Sequence, residues 1–186
     1  SFQALLAKSA PEELRGVLLG DYLVGRPVGE GGFATVHIAR QLSTGRSAAM
    51  KLLRDGMSEE MRARFRQEAL YLARFQHAHI VAVLGHGEDV WSVPRGCSPE
   101  DEAWFRDFRR SAPVKTWIAL EWVDGPTLEQ LFRGDARALP PVGTRLAWFR
   151  DAARALSVVH AAGLLHRDVK PSNLMVGADG LVKLMD

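Results

Sequence analysis

The densest chemistry in the chain lies in the run Leu165-His166-Arg167-Asp168-Val169-Lys170-Pro171-Ser172-Asn173-Leu174-Met175. Asp168 can accept the proton of an incoming hydroxyl. Lys170 can neutralise a transferring phosphate. Asn173 can hold a metal ion through its amide oxygen, and Arg167 can pair with a phosphate or carboxylate elsewhere. Phosphoryl transfer calls for such a set, because it needs positioning and charge neutralisation more than covalent help. A polar loop with a turn at Pro171 is the plain alternative. The joint spacing of His, Arg, Asp, Lys and Asn favours the chemical reading over it.

A second pair lies upstream. Lys51 ends the strand-like run Ser47-Ala48-Ala49-Met50-Lys51. Taken alone, a lysine in small, apolar company reads as a snorkelling edge residue. Glu68 changes that reading. Helical spacing puts Met61, Phe65 and Leu72 on one face, and Glu68 falls on the same face. A carboxylate there needs a cation, because an unpaired buried charge costs several kcal/mol. Lys51 is the candidate. Glu59, Glu60, Arg62 and Arg66 fit the solvated face.

The third signal is Val28-Gly29-Glu30-Gly31-Gly32-Phe33-Ala34-Thr35-Val36. Glycines let a backbone approach phosphate oxygens with its amides. By itself the segment is as readily a tight hairpin turn. A dinucleotide-binding motif should open a helix, whereas Thr35-Val36-His37-Ile38 continues as a strand. No Gly-Lys-Ser/Thr follows, so a Walker-type loop is also absent. A glycine turn between two strands fits a flap over a nucleotide.

These residues need a scaffold, and the chain can supply one. Of its 186 residues, 47% are hydrophobic and 25% charged, a globular composition. A net charge of +2, from 24 basic and 22 acidic residues, gives no basis for a nucleic-acid partner. Cys97 is the single cysteine, which excludes an internal disulfide framework and suits a reducing, cytoplasmic setting. Apolar runs such as Ile80–Leu84 fall far short of the roughly 20 residues of a membrane span, so no membrane contact is expected within the chain. No signal peptide is visible. Because the first residue is Ser1, the natural N-terminus is expected upstream. The sequence says nothing of oligomeric state.

Residues 1–20 read as a helical extension, from the Ser9/Glu12 capping-box spacing and the face Leu14, Val17, Leu18. Strands are expected at Tyr22–Val24, Thr35–Ile38 and Ser47–Lys51, a helix at Ser58–Phe75 with Ser58 as N-cap, and strands at Ile80–Leu84 and Trp117–Trp122. A second helix, Thr144–Ala162, ends at Gly163. Short strands at Leu174–Val176 and Leu181–Met185 flank a turn.

With these residues in hand, the sequence resembles the protein kinases over about Asp21 to Asp186. Gly29, Gly31 and Val36 match the glycine-rich loop, and Ala34 stands where a third glycine is usual. Ala49-Met50-Lys51 matches the strand carrying the ATP-orienting lysine, and Glu68 its helix partner. His77-Ala78-His79-Ile80-Val81 is similar to His-Pro-Asn-Ile-Val. Leu120-Glu121-Trp122-Val123 is similar to the gatekeeper and hinge. Val36, Ala49 and Met175 match the walls of the adenine pocket. His166–Asn173 matches the catalytic loop, and Asp186 matches the metal-binding aspartate of Asp-Phe-Gly. Lys170 is similar to the serine/threonine branch, and the overall style to the eukaryotic-like kinases of bacteria.

The resemblance implies an α+β fold: an antiparallel five-stranded lobe with one main helix (21–123), then a hinge and the start of a helical lobe (124–186). It implies ATP and Mg2+ or Mn2+ as cofactors. Val28, Gly29, Glu30, Gly31, Gly32, Phe33, Ala34, Val36, Ala49, Lys51, Leu120, Glu121, Val123 and Met175 would hold the nucleotide, and Asn173 and Asp186 the metal. Asp168, Lys170, Asn173, Lys51 and Glu68 would be catalytic, and the substrate a protein serine or threonine. The rival readings are a pseudokinase or nucleotide-binding regulatory module, and a small-molecule kinase; the intact residue set disfavours the first, and Lys170 with His-Arg-Asp the second.

One stretch departs from the pattern. About Gly87–Thr116, with Trp91, Trp104, Phe105 and Phe108, replaces a short hairpin and reads as a helical insertion, or else a partner-binding surface. The chain as given is expected to be inactive alone, because Leu146, Phe149, Leu156 and Val159 would lack cover.

Overall fold

The computed structural model describes residues 17–92, 113–133 and 139–185. They divide into two compact units. The first comprises the described residues up to Leu72 and those within Val83–Trp122; the second comprises Ala73–Ala82 and the described residues from Val123 onward.

The first unit is an antiparallel sheet with one helix among the described residues. Its strands are β1 (Val17–Leu19), β2 (Tyr22–Glu30), β3 (Ala34–Gln41), β4 (Ser47–Leu53), β5 (Val83–Asp89) and β6 (Lys115–Glu121), in the order β1-β2-β3-β4-β6-β5. Gly45, in the left-handed region at φ 69°, closes the β3–β4 turn. Helix α1 (Glu59–Leu72) starts where Ser58 Oγ accepts the Met61 amide at 3.3 Å, the expected N-cap bond.

One face of this sheet is sealed by Leu19, Tyr22, Val24, Met50, Leu52 and Trp117. Trp117 sits at the middle. Its ring meets Tyr22 edge-on at 5.4 Å, and its Nε1 donates to Asp89 Oδ2 at 3.0 Å. A Cβ on Gly87 would stand 2.9 Å from the indole, so the glycine makes room for the aromatic.

The sheet has a sixth strand beyond the five expected, and β1 supplies it. The helix expected over residues 1–20 is corrected there: Val17–Leu19 is strand, while residues 1–16 lie outside the described residues. The physical reason is tertiary. Leu19 is fully buried in the sheet core, and Leu18 exchanges both backbone hydrogen bonds with Ser92, at 2.6 and 2.9 Å. Ser92 follows β5, the opposite edge strand, so the sheet curls until its two edges meet. That pairing satisfies edge groups that water or another chain would otherwise take.

Two further expectations shift. The strand expected at Ile80–Leu84 is split. Ile80 is buried in the second unit, where Val81 N donates to Leu184 O at 2.9 Å, and β5 begins only at Val83. The insertion expected from Gly87 starts later, because Gly87, Glu88 and Asp89 pair with Trp117, Thr116 and Lys115. Trp91 packs against the sheet core; Trp104, Phe105 and Phe108 lie outside the described residues.

The second unit holds α2 (Leu128–Arg133), α3 (Val142–Ala161), the 3-10 turn Pro171–Asn173, and the hairpin β7 (Leu174–Val176) and β8 (Val182–Leu184). Its core gathers Phe75, Ile80, Leu128, Trp148, Val159 and Val182. Helix α3 stops as expected. Gly163 adopts φ 74°, its amide reaches His160 O at 2.9 Å, and Leu164 N reaches Val159 O at 3.2 Å, a Schellman end. Helix α2 was not expected. Thr127 Oγ1 accepts the Gln130 amide at 3.1 Å, while Gln130 Oε1 accepts the Thr127 amide at 2.9 Å, a reciprocal capping box. Of the apolar residues picked out on α3, Val159 is buried and Leu156 packs on the core, whereas Leu146 and Phe149 are exposed.

Gly125 makes the tightest backbone approach in this unit. A Cβ there would lie 1.8 Å from Val176 O, beside the bond from Val176 N to Pro126 O at 2.9 Å. Gly125→Ala is therefore expected to cost at least about 2 kcal/mol in urea unfolding, the range of overpacking. Gly143→Ala, where an added methyl meets nothing within 4 Å, should be neutral or stabilising.

Candidate functional site

In the first unit, β-sheet register sorts the predicted residues. Directly opposed residues in antiparallel strands share a face. Gly29 opposes Val36, Val36 opposes Lys51, Lys51 opposes Ile118, and Ala49 opposes Leu120. Gly29, Val36, Ala49, Lys51 and Leu120 therefore lie on one face. Met50, Leu52 and Trp117 fill the core on the other.

Lys51 Nζ meets Glu68 Oε1 at 2.7 Å, with 15% and 35% of the two side chains exposed. The half-buried glutamate on the apolar stripe of α1 thus has the cation that burial demands. Phe65, one turn earlier, places its ring centroid 6.0 Å from the same ammonium. Of the charged residues assigned to the solvated face, Glu60 pairs with Arg64 and Glu59 with Arg66.

The glycine segment is the β2–β3 turn. Gly31 N donates to Ala34 O at 2.9 Å, and Glu30 opposes Thr35. Val28 and Phe33 are exposed, while Ala34 is buried at the root of β3, where a methyl is accommodated. Two residues that motif reading passes over tie this hairpin down. His37 Nδ1 donates to Gly25 O at 2.9 Å, and its Nε2 lies 3.1 Å from Thr35 Oγ1. Arg54 reaches the tip from the end of β4. Nothing about a histidine inside a strand, or an arginine just after one, signals this in sequence.

In the second unit, the residues expected of a catalytic loop converge on Asp168. Its Oδ2 accepts from Lys170 Nζ at 2.7 Å and from Asn173 Nδ2 at 3.1 Å, and Asn173 Nδ2 also reaches Asp168 O at 2.9 Å. The Lys170 ammonium bonded to it holds the Asp168 carboxyl below the usual carboxylate range; the partial desolvation opposing this is the weaker effect, and the Asn173 amide adds to the lowering. His166 Nε2 donates to Met185 O at 3.1 Å, and Met185 N donates to Asn173 O at 2.9 Å, so the loop is stitched to the chain just after β8. Arg167 adopts φ 62°, a left-handed conformation that a non-glycine residue holds only at a cost. Met175 lies in β7, Val123 is buried in this unit, and Asp186 lies outside the described residues.

Of the two expected metal ligands, Asn173 is the one among the described residues. With Nδ2 of Asn173 committed to Asp168, its Oδ1 is the atom able to ligate a cation. Among the described residues, no group of three or more His, Cys, Asp and Glu side chains gathers as a metal cage. A Mg2+ site needs no such cage, because the ion is held by one or two carboxylates plus substrate phosphates and keeps several waters.

Removing the Lys170 charge should release Asp168. In Lys170→Met, the Asp168 carboxyl is expected to titrate at higher pH than in the wild type, as followed by its side-chain 13C shift. The sign follows from the lysine favouring the ionised form. An unmoved or lower midpoint would contradict the arrangement.

Comparison with known proteins bears on these clusters together. The family description "Protein kinase domain" matches residues 22–186. The chain is 35% identical over 167 residues to the serine/threonine-protein kinase PknB of Mycolicibacterium smegmatis, covering 89% of this chain and 23% of that protein. It is 34% identical over 167 residues to PknB of Mycobacterium leprae, covering 89% of this chain and 24% of the relative. The chain thus spans about a quarter of the length of these relatives. Among solved structures it is similar to a point mutant of the kinase domain of Mycobacterium tuberculosis PknI, with a TM-score of 0.67 and 30% identity over 92% of this chain and 61% of the other.

Proposed function

The chain belongs to the protein kinase family, and from that premise we propose that the protein containing it transfers the ATP γ-phosphoryl group to serine or threonine hydroxyls of a protein substrate. The observation that carries this reading is Asp168 held between Lys170 and Asn173, at 2.7 and 3.1 Å. A module that only bound nucleotide would need no such arrangement.

In this reading, Asp168 orients the substrate hydroxyl and accepts its proton as the bond to phosphorus forms. The Lys170 ammonium favours its ionised form, so the carboxylate accepts the hydroxyl's hydrogen bond, and positioning matters more here than base strength. Lys170 offsets charge on the phosphoryl group in flight. Lys51, aimed by Glu68, holds the nucleotide phosphates. The turn from Val28 to Val36 covers them, and Ala49, Leu120, Glu121, Val123 and Met175 receive the adenine. Asn173 and Asp186 would hold Mg2+ or Mn2+, which, when bound, neutralises the phosphate charge. Among the described residues, no helix is long and apolar enough to cross a membrane. The reading places the domain in the cytoplasm, where ATP is available. With Leu146 and Phe149 exposed on α3, the 186-residue chain alone is proposed to hold ATP weakly and to phosphorylate no peptide.

The test uses the natural full-length protein, a serine-containing basic protein and labelled ATP. Asp168→Asn should lower kcat at least about a hundredfold while sparing nucleotide affinity. Asp186→Asn should instead weaken Mg2+-dependent ATP binding. Normal turnover in Asp168→Asn would refute the base role of Asp168, whereas absent turnover in the folded wild type would leave the pseudokinase reading standing.

A further inference from the structure

The tip of the glycine turn is not held by packing. Phe33 is 60% exposed, and a Cβ added to Gly32 would meet nothing within 4 Å. Beyond the turn's own bond from Gly31 N to Ala34 O, it is held by Arg54. Arg54 N donates to Phe33 O at 2.9 Å, and Arg54 Nε donates to Gly31 O at 3.2 Å. Its Nη2 lies 3.6 Å from Glu30 Oε2. One residue at the end of β4 thus reaches the tip at Glu30, Gly31 and Phe33.

This has a consequence for the amides. A trans peptide is planar, with its C=O and N–H pointing in opposite directions. None of the described peptide bonds is cis. Fixing the Gly31 carbonyl on the Arg54 guanidinium therefore turns the Gly32 N–H away from Arg54. A glycine pair without such a hold samples many orientations, because each residue populates both signs of φ. An amide oriented beforehand binds an anion without the entropy cost of ordering it.

We propose that Arg54 is a positioning residue for the polyphosphate of the nucleotide: through Gly31 it presents the Gly32 amide to phosphate oxygens. Arg54 acts through the peptide and does not itself touch the phosphate. The proposal rests on the nucleotide reading of the turn given above. His37 serves the same hairpin at its base, through Gly25 O.

The experiment is calorimetric titration of the natural full-length protein, wild type, Arg54→Met and Arg54→Lys, with ATP, ADP and adenosine, alongside thermal unfolding. In Arg54→Met, ATP and ADP should bind about three- to tenfold more weakly, the size of one or two hydrogen-bond contributions. Adenosine affinity and the unfolding temperature should not change. Arg54→Lys keeps the cation but loses the guanidinium geometry and should fall between the two. Equal losses for adenosine and ATP would show a merely structural role and overturn the proposal. So would unchanged ATP affinity in Arg54→Met. Failure of the wild type to bind ATP at all would instead overturn the nucleotide reading, and this inference with it.

Discussion

A carboxylate on the apolar face of a helix cannot stay there without a cation, and Glu68 makes that demand in the first unit. Lys51 meets it at 2.7 Å. The pairing links α1 to β4, and the period of β4 makes it possible. Met50 and Leu52 enter the core while Ala49 and Lys51 take the other face. A slip of one residue in the β3–β4 or β4–β6 register would send Lys51 into the core and Met50 toward Glu68. The ion pair and the apolar core therefore specify the same register, and the register places Val36, Ala49 and Leu120 beside the lysine.

The second unit solves a different problem, that of holding a polar loop in a fixed shape. Its anchor is buried and mixed. His79 Nδ1 donates to Val182 O at 3.0 Å, and its Nε2 lies 3.6 Å from Asp151, which is 2% exposed and also meets Arg150 at 3.2 Å. These contacts join the 73–82 segment, α3 and β8. From β8 the chain runs to Met185, whose carbonyl and amide engage His166 and Asn173. The left-handed Arg167 persists because bonds on both sides fix the loop around it. Asp168 thus sits on a frame anchored by the contacts of His79, Asp151 and Arg150.

Motifs whose chemistry is local were legible in the sequence. The Ser58 cap, the Gly163 stop and the Lys51–Glu68 pair depend on residues whose types announce their roles. Strand β1 was illegible because Val17 and Leu18 fit a helical stripe as well as a strand, and pairing with β2 and with the distant Ser92 decides between them. The run Ile80–Leu84 misled because its apolar residues serve two cores, and periodicity cannot divide one run between them. Helix α2 was legible but passed over: Thr127-Leu128-Glu129-Gln130 carries the capping-box spacing in plain view. Arg54 and His37 act on backbone carbonyls, and a carbonyl leaves no trace in sequence.

The account turns on Lys51 being a nucleotide ligand rather than only the partner of a half-buried glutamate. Phosphoryl transfer by the natural full-length protein should be compared between wild type and Lys51→Met, with folding of the variant verified by its unfolding transition. The account predicts a folded protein whose transfer rate falls by about a hundredfold or more, the usual scale for removing one preorganised charge from a reacting centre. A folded Lys51→Met protein working within about threefold of wild type would contradict it, because so small a change does not fit the loss of such a charge.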